Sequence, residues 1–310
     1  NRSHCMKKLL AVIAAGCLST LALAQQDPQF SQNMYNRLYV NPAYAGSSEA
    51  ICAHLLYRSQ WVNYDGAPKT GVLAIDAPLA NNKVGVGLSV MTDKIGAEKT
   101  LQGKLAGNYK FTLGQGKLGA GIDLDFMQHQ IDGADFKAPD PSVTDPSIPK
   151  NSVSGTAFDL GAGLYYNTDK LYVGVSASHM LESKVDLDNF SKEYKRHIYG
   201  MIGYTFELTP TVALKPMVFV KTVTGNTTMD FNINAHFNER FWVGVSYRNE
   251  DAIVGLLGMN ITDKLKVGYS YDFTTSDVKD YSDGTHEIML GYCFNVKKRI
   301  PVSIRNVRFL

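Results

Sequence analysis

Between Ile51 and Phe294 the chain alternates apolar and polar residues with a period of two. That is the pattern of β-strands with one dry face and one wet face. In the clearest segment Leu101, Gly103, Leu105, Gly107, Tyr109, Phe111 and Leu113 alternate with Gln102, Lys104, Ala106, Asn108, Lys110 and Thr112. After the turn Gly114-Gln115-Gly116 the alternation resumes, with Leu118, Ala120, Ile122, Leu124 and Phe126 opposite Lys117, Gly119, Gly121, Asp123 and Asp125. The same reading predicts strands over 158–166, 171–180, 198–208, 212–223, 229–238, 265–273 and 286–294, and less regular ones over 51–61, 70–79, 84–92, 241–248 and 252–261. About fourteen strands result, most of them long enough to cross a bilayer when tilted.

The connections supply a second test. Short ones (80–83, 114–116, 167–170, 209–210, 238–240 and 262–264) mostly alternate with longer ones (62–69, 93–100, 131–154, 181–195 and 274–284). Outer-membrane barrels place short turns in the periplasm and long loops outside. The fold class expected is therefore all-β, a transmembrane antiparallel β-barrel. Aromatic pairs near strand ends, such as Tyr109 with Phe111 and Tyr292 with Phe294, fit interfacial girdles. A soluble sandwich or propeller explains strands of ten or more residues less well, and no blade-length repeat is present. An even strand count places both termini in the periplasm.

Before the first strand stand an apolar leader and an irregular segment. Met6 is followed by Lys7-Lys8, the apolar run 9–23 and the small-x-small site Ala22-Leu23-Ala24, a secretory signal peptide preceded by upstream residues 1–5. Cleavage after Ala24 leaves 286 of the 310 residues and, with Arg2, Lys7 and Lys8 gone, turns the formal charge from +2 to −1. Nothing in that balance favours nucleic acid. The expected organisation is 1–24 upstream residues and leader, 25–50 a periplasmic or plug-like segment, 51–294 the barrel, and 295–310 a basic periplasmic tail carrying Lys297, Lys298, Arg299, Arg305 and Arg308.

The chemistry signals are weak. Gly114 to Gly119 spells G-x-G-x-x-G, but a period-two strand follows where a phosphate site needs a helix. No metal-ligand or nucleophile motif is present, and the histidines are scattered, so no cofactor or metal is expected and an enzyme is disfavoured. His179, His197 and His286 read as amphipathic rim residues. The predicted lumen carries both signs, including Asp76, Lys104, Lys110, Asp123, Asp125, Asp159, Lys215, Lys221, Asp230, Arg248, Lys266, Asp272 and Glu287. Its glycines, Gly119, Gly121, Gly161, Gly163, Gly174, Gly244 and Gly268, leave space for a folded-in segment. Cys52 in the first strand and Cys293 in the last would meet inside the periplasmic rim on closure, either bridged or as two separate buried thiols.

Several motifs resemble one family. Asp27-Pro28-Gln29-Phe30-Ser31-Gln32, Asn41-Pro42-Ala43-Tyr44-Ala45-Gly46-Ser47, Tyr57-Arg58-Ser59-Gln60-Trp61, His286-Glu287-Ile288-Met289-Leu290-Gly291-Tyr292-Cys293-Phe294 and Arg305-Asn306-Val307-Arg308-Phe309-Leu310 are similar to the PorP/SprF proteins of the type IX secretion and gliding machinery. The resemblance covers essentially the whole mature chain and departs from the family pattern at Arg37, where proline or another uncharged residue is expected. It implies a non-enzymatic outer-membrane component. The implied partners are a periplasmic peptidoglycan-linked lipoprotein and ring and, in some members, a secreted surface adhesin. Gln29, Phe30, Tyr35, Asn41, Pro42, Tyr44, Trp61, Arg305, Arg308 and Phe309 are the candidate partner-binding or plug residues. A porin or hydrophobic-substrate transporter is the alternative, since its barrel would have the same periodicity. A third reading, a barrel hydrolase, would need a Ser-His pair at the lipid boundary.

Overall fold

Along the strands the exposed residues are largely apolar, and charged and polar residues stand among the enclosed ones. In a computed structural model, which describes residues 27–133, 149, 151–188, 190–249 and 251–294, Ile122 is 65% exposed and its neighbour Asp123 only 3%. Leu105, Leu124, Val175, Leu257 and Ile288 likewise face outward, while Lys104, Asp125, Ser176, Arg248 and Glu287 are enclosed. This inversion of ordinary globular polarity suits an outside made of lipid and an inside shielded from it. No described helix is long and apolar enough to cross a membrane.

In chain order the strands are β1 (Ile51–Ser59), β2 (Lys69–Leu79), β3 (Val84–Ile95), β4 (Glu98–Leu113), β5 (Gly116–Asp132), β6 (Ser152–Asn167), β7 (Leu171–Ser178), β8 (Lys184–Leu187), β9 (Phe190–Glu193), β10 (His197–Tyr204), β11 (Phe206–Thr209), β12 (Val212–Val223), β13 (Asn226–Phe237), β14 (Phe241–Arg248), β15 (Ala252–Asn260), β16 (Leu265–Thr274) and β17 (Thr285–Phe294). Strand β11 continues β10 past Thr205, and β8 and β9 form a separate hairpin, so fourteen staves remain. Each is antiparallel to its neighbours. Strand β17 closes on β1 from Ile51 against Phe294 to Ser59 against His286. Closure joins the first and last strands of the wall, where an open edge would not be tolerated by a bilayer.

Three predicted connections, 93–100, 131–154 and 181–195, are corrected. The loop 93–100 is a tight turn at Gly96-Ala97, because β3 and β4 stay paired out to Ile95 opposite Glu98. Strands β5 and β6 also pair on to Asp132 and Ser152, reaching 17 and 16 residues where a membrane needs about 9–11. Beyond the lipid both faces are wet, so pairing continues after the apolar alternation that revealed it has stopped. The predicted loop 181–195 contains the β8–β9 hairpin, whose Val185 and Leu187 pack on Met127 and Ala157 over the long-loop mouth. Strands of four residues carry too little periodicity to be recognised.

The largest apolar cluster lies within the barrel. It joins Phe30, Leu38, Tyr39, Val40, Ala43 and Ala45 to inward residues of the wall, among them Leu56, Met91, Tyr199, Phe219, Trp242 and Met289.

Candidate functional site

Residues 27–50 run through the lumen from the long-loop end to the short-turn end, where they enter β1. At the long-loop end Asp27 is clasped from several sides. Tyr199 donates its hydroxyl to one carboxylate oxygen at 2.6 Å, and His179 Nε2 lies 3.1 Å from the other. The Asp27 amide donates to His197 Nε2 at 3.0 Å, and Lys221 Nζ donates to the Asp27 carbonyl at 2.9 Å. Burial alone would raise the Asp27 carboxyl, but His197, His179 and Lys104 outweigh it and hold it well below the ordinary carboxylate range. For His179 burial works downward, and Asp27 overcomes it and raises the imidazole.

These contacts correct the reading of His179 and His197 as rim residues. Both are buried and directed inward, the first just beyond β7 and the second opening β10. Ligand-type atoms of Asp27, His179 and His197 lie within 4.8 Å of one another. Both Asp27 oxygens and both His197 ring nitrogens already have hydrogen-bond partners, so hydrogen bonding alone accounts for the cluster. The clasp places Asp27 at the long-loop end, far from the short turns.

One turn further on, Ser31 sits in a cage of buried charge. Its amide donates to Glu287 at 2.8 Å and its hydroxyl to Asp272 at 2.7 Å. It accepts from Arg58 at 2.9 Å and from Arg248 at 3.0 Å. Arg58 bridges Asp272 and Glu287 at 2.9 and 3.1 Å, and Arg248 bridges Asp230 and Asp272 at 2.7 and 3.1 Å. The cage is complete only with the segment in place, because Gln32 also donates its amide to Glu287 and Gln29 its side chain to Asp230, at 2.8 and 2.7 Å. Enclosed ion pairs need such extra hydrogen bonds to offset their desolvation.

A short helix (Arg37–Val40) and a 3-10 turn (Pro42–Tyr44) then cross the lumen. Asn41 caps the turn by accepting from the Ala43 amide at 3.0 Å, and it ties the turn to the wall by donating to the Leu164 carbonyl at 3.0 Å. Asn108 donates to the carbonyls of Ala43 and Ala45 at 2.9 and 2.8 Å. The wall admits the backbone because glycine stands at the contacts. A Cβ on Gly121 would lie 2.7 Å from the Ala43 amide nitrogen, and one on Gly119 2.8 Å from the Ala43 oxygen. Gly163 and Gly174 make room for Asn41, and Gly268 for Gln32. Gly161 and Gly244 face other lumen side chains, Asp123 and Asn234, so they do not serve this purpose. Gly85 and Gly87, not singled out by sequence, lie against Ala45 and Leu38. Gly46 takes φ +64° beside Ala77, and its amide donates to Asp76 at 2.7 Å.

Of the candidate residues, Gln29, Phe30, Tyr35, Asn41, Pro42 and Tyr44 are thus brought into the lumen. Phe30 meets Tyr39 edge-on at 6.0 Å, Tyr35 lies 5.5 Å from Trp242, and Tyr44 meets Tyr165 at 5.3 Å. Trp61 is elsewhere, in the β1–β2 loop beside Tyr64. Arg305, Arg308 and Phe309 lie outside the described residues. Cys52 and Cys293 are register partners across the closing seam and form a disulfide, with Cα atoms 4.1 Å apart. Sequence reasoning did not select Asp27, Ser31, Arg58, Asp272, Glu287, His179 and His197 as a site. For Arg58, Asp272 and Glu287 the available signal was an ionisable residue at a strand position that the alternation turns inward; Asp27, Ser31 and His179 lie outside the strands and carried no such signal.

A family described as the type IX secretion system membrane protein PorP/SprF matches residues 22–292. The chain belongs to the PorP/SprF family. It is an outer-membrane β-barrel of that secretion system's membrane component. Among solved structures, the toluene transporter TbuX of Ralstonia pickettii is similar over 84% of this chain and 93% of its own, at 10% identity and TM-score 0.50. The outer membrane protein Omp33 of Acinetobacter baumannii is similar over 79% and 99%, at 11% identity and TM-score 0.46. At these identities the likeness concerns the barrel fold alone. No curated protein matches the chain by sequence.

Proposed function

We propose that this PorP/SprF barrel works as a docking body of the type IX machinery, non-enzymatic and closed to diffusion, and that it helps secretion or surface attachment of cargo. In this reading the exported barrel holds its own residues 27–50 as a plug. Periplasmic components, a peptidoglycan-linked lipoprotein and ring, engage the short-turn side, and a secreted adhesin is the kind of cargo served at the long-loop side. The observation that carries the reading is the cage around Ser31. A segment bound through Arg58, Arg248, Asp272 and Glu287 completes the wall's charge pairing, and an aqueous path would require breaking it. A porin or hydrophobic-substrate transporter would need that path.

Deletion of the gene tests the proposal. Secretion of type IX cargo should be lost while outer-membrane permeability to small solutes stays unchanged, and crosslinking in intact outer membranes should recover periplasmic type IX components. Unimpaired secretion together with reduced solute uptake would contradict it and favour the porin.

A further inference from the structure

Beneath the plug, at the short-turn mouth, lies a cavity of about 560 Å³ bounded by Tyr35, Arg37, Tyr172, Lys215, Trp242 and Lys266 among others. Its size falls in the roughly 300–1,000 Å³ range of ligand pockets. Its charge is unbalanced. Among the described residues Arg37, Lys215 and Lys266 form no ion pair, although Arg37 acts electrostatically on both lysines and Lys215 on Lys266. The two acids on the lining, Asp169 and Glu239, are exposed in the turns at the rim, and of these Glu239 acts on Lys215. Lys170 is already paired with Glu207 at 3.0 Å.

Arg37 forms part of the ceiling. Its guanidinium stacks 3.9 Å above the Tyr172 ring and donates to the Tyr165 hydroxyl at 3.0 Å, while its buried Nε has no partner among the described residues. The walls are aromatic. Lys266 Nζ lies 5.5 Å from the Tyr35 ring, and Trp242 packs on Tyr35 and stacks with His236 at 5.7 Å. Retaining three cations in a partly enclosed space whose two acids stand only at the exposed rim is costly unless a ligand supplies the charge.

We infer that this vestibule binds an acidic peptide segment of a protein partner, its carboxylates on Arg37, Lys215 and Lys266 and an apolar or aromatic side chain on Tyr35 and Trp242. The inference rests on the docking reading and gives it a place. A bare inorganic anion would answer the charge and leave the aromatic walls uncovered, whereas a peptide with acidic and aromatic residues answers both. The opening at the short-turn end fixes the side of approach.

The test uses the full chain in detergent and a fluorescent peptide alternating Asp or Glu with Tyr or Leu, compared with its Asn and Gln counterpart. The acidic peptide should bind at least tenfold more tightly, and its affinity should fall as salt rises. Lys215→Gln with Lys266→Gln should weaken binding tenfold or more without changing the melting temperature, whereas Lys170→Gln should leave binding unchanged. Should the double variant fold poorly, Lys266→Glu provides a separate readout, because it should reverse the preference toward a Lys-containing peptide. Equal affinity for acidic and neutral peptides, no effect of Lys266→Glu, or saturation by inorganic phosphate without peptide binding would each overturn the inference. Secretion lost on gene deletion while the acidic peptide fails to bind would retain the docking reading and reject this site.

Discussion

At the residue scale the plug depends on a few buried polar contacts. Ser31→Ala removes a hydroxyl that donates to Asp272 and accepts from two arginines, so it should cost about 1–3 kcal/mol, read as a lower melting temperature of the detergent-solubilised barrel. Arg58→Ala leaves Glu287 buried without its cation and Asp272 with Arg248 alone and should cost more, about 3–5 kcal/mol. The Asp27–His179 pair adds a pH dependence of defined sign. The Asp27 carboxyl is depressed, so its contribution is present above its unfolded value of about 3.9 and fades as pH falls through the lower folded value. The His179 imidazole is raised, so its contribution is complete below about 6.5 and is lost as pH rises through the higher folded value. Protection of the amides in the first residues of the segment, taken relative to the base-catalysed exchange of an unfolded chain at the same pH, should therefore be greatest at mildly acidic pH and fall on the alkaline side. His179→Gln should remove that alkaline loss of protection, and an unchanged protection profile would contradict the assignment.

At the element scale the fit between plug and wall is steric. Gly121→Val places a side chain into the backbone of Ala43, whereas nothing lies within 4 Å of a Cβ on Gly103. The first should destabilise the seated plug by about 1–3 kcal/mol through overpacking, and Gly103→Val should be close to neutral, a contrast that proteolytic nicking within 27–50 would report. Strand positions were legible in the sequence wherever lipid faced one side and the lumen the other, as in β4 and β5. They faded beyond the bilayer, where Lys94 pairs with Lys99 and both faces meet water. The site was less legible than the strands. The glycines of β5 gave notice of an inserted segment, but the Ser31 cage joins residues as far apart as Arg58 and Glu287, 229 positions in sequence, and no local pattern records such a meeting.

At the scale of the whole molecule, closure and filling act together. Strands β1 and β17 are paired along nine register positions, and Cys52–Cys293 ties the same seam across 241 residues. A cross-link over so long a loop can contribute up to roughly 5 kcal/mol through the unfolded state. Reduction, or Cys52→Ser, should lower the unfolding temperature while the folded barrel stays closed by its ladder. An unfolding temperature unaffected by reductant would show that the bridge contributes nothing. The plug supplies a dry interior that the wall does not possess alone, since Phe30, Leu38, Tyr39 and Val40 are buried only by lying against wall residues such as Leu56, Met91 and Trp242. A closed body and not a passage should carry no current. Single-channel recording of the purified full-length protein in a planar bilayer should therefore show no steady conductance for the native chain and channel openings for Arg58→Ala, in which the cage around Ser31 is broken; stable porin-like conductance from the native protein would mean that the barrel is an open passage.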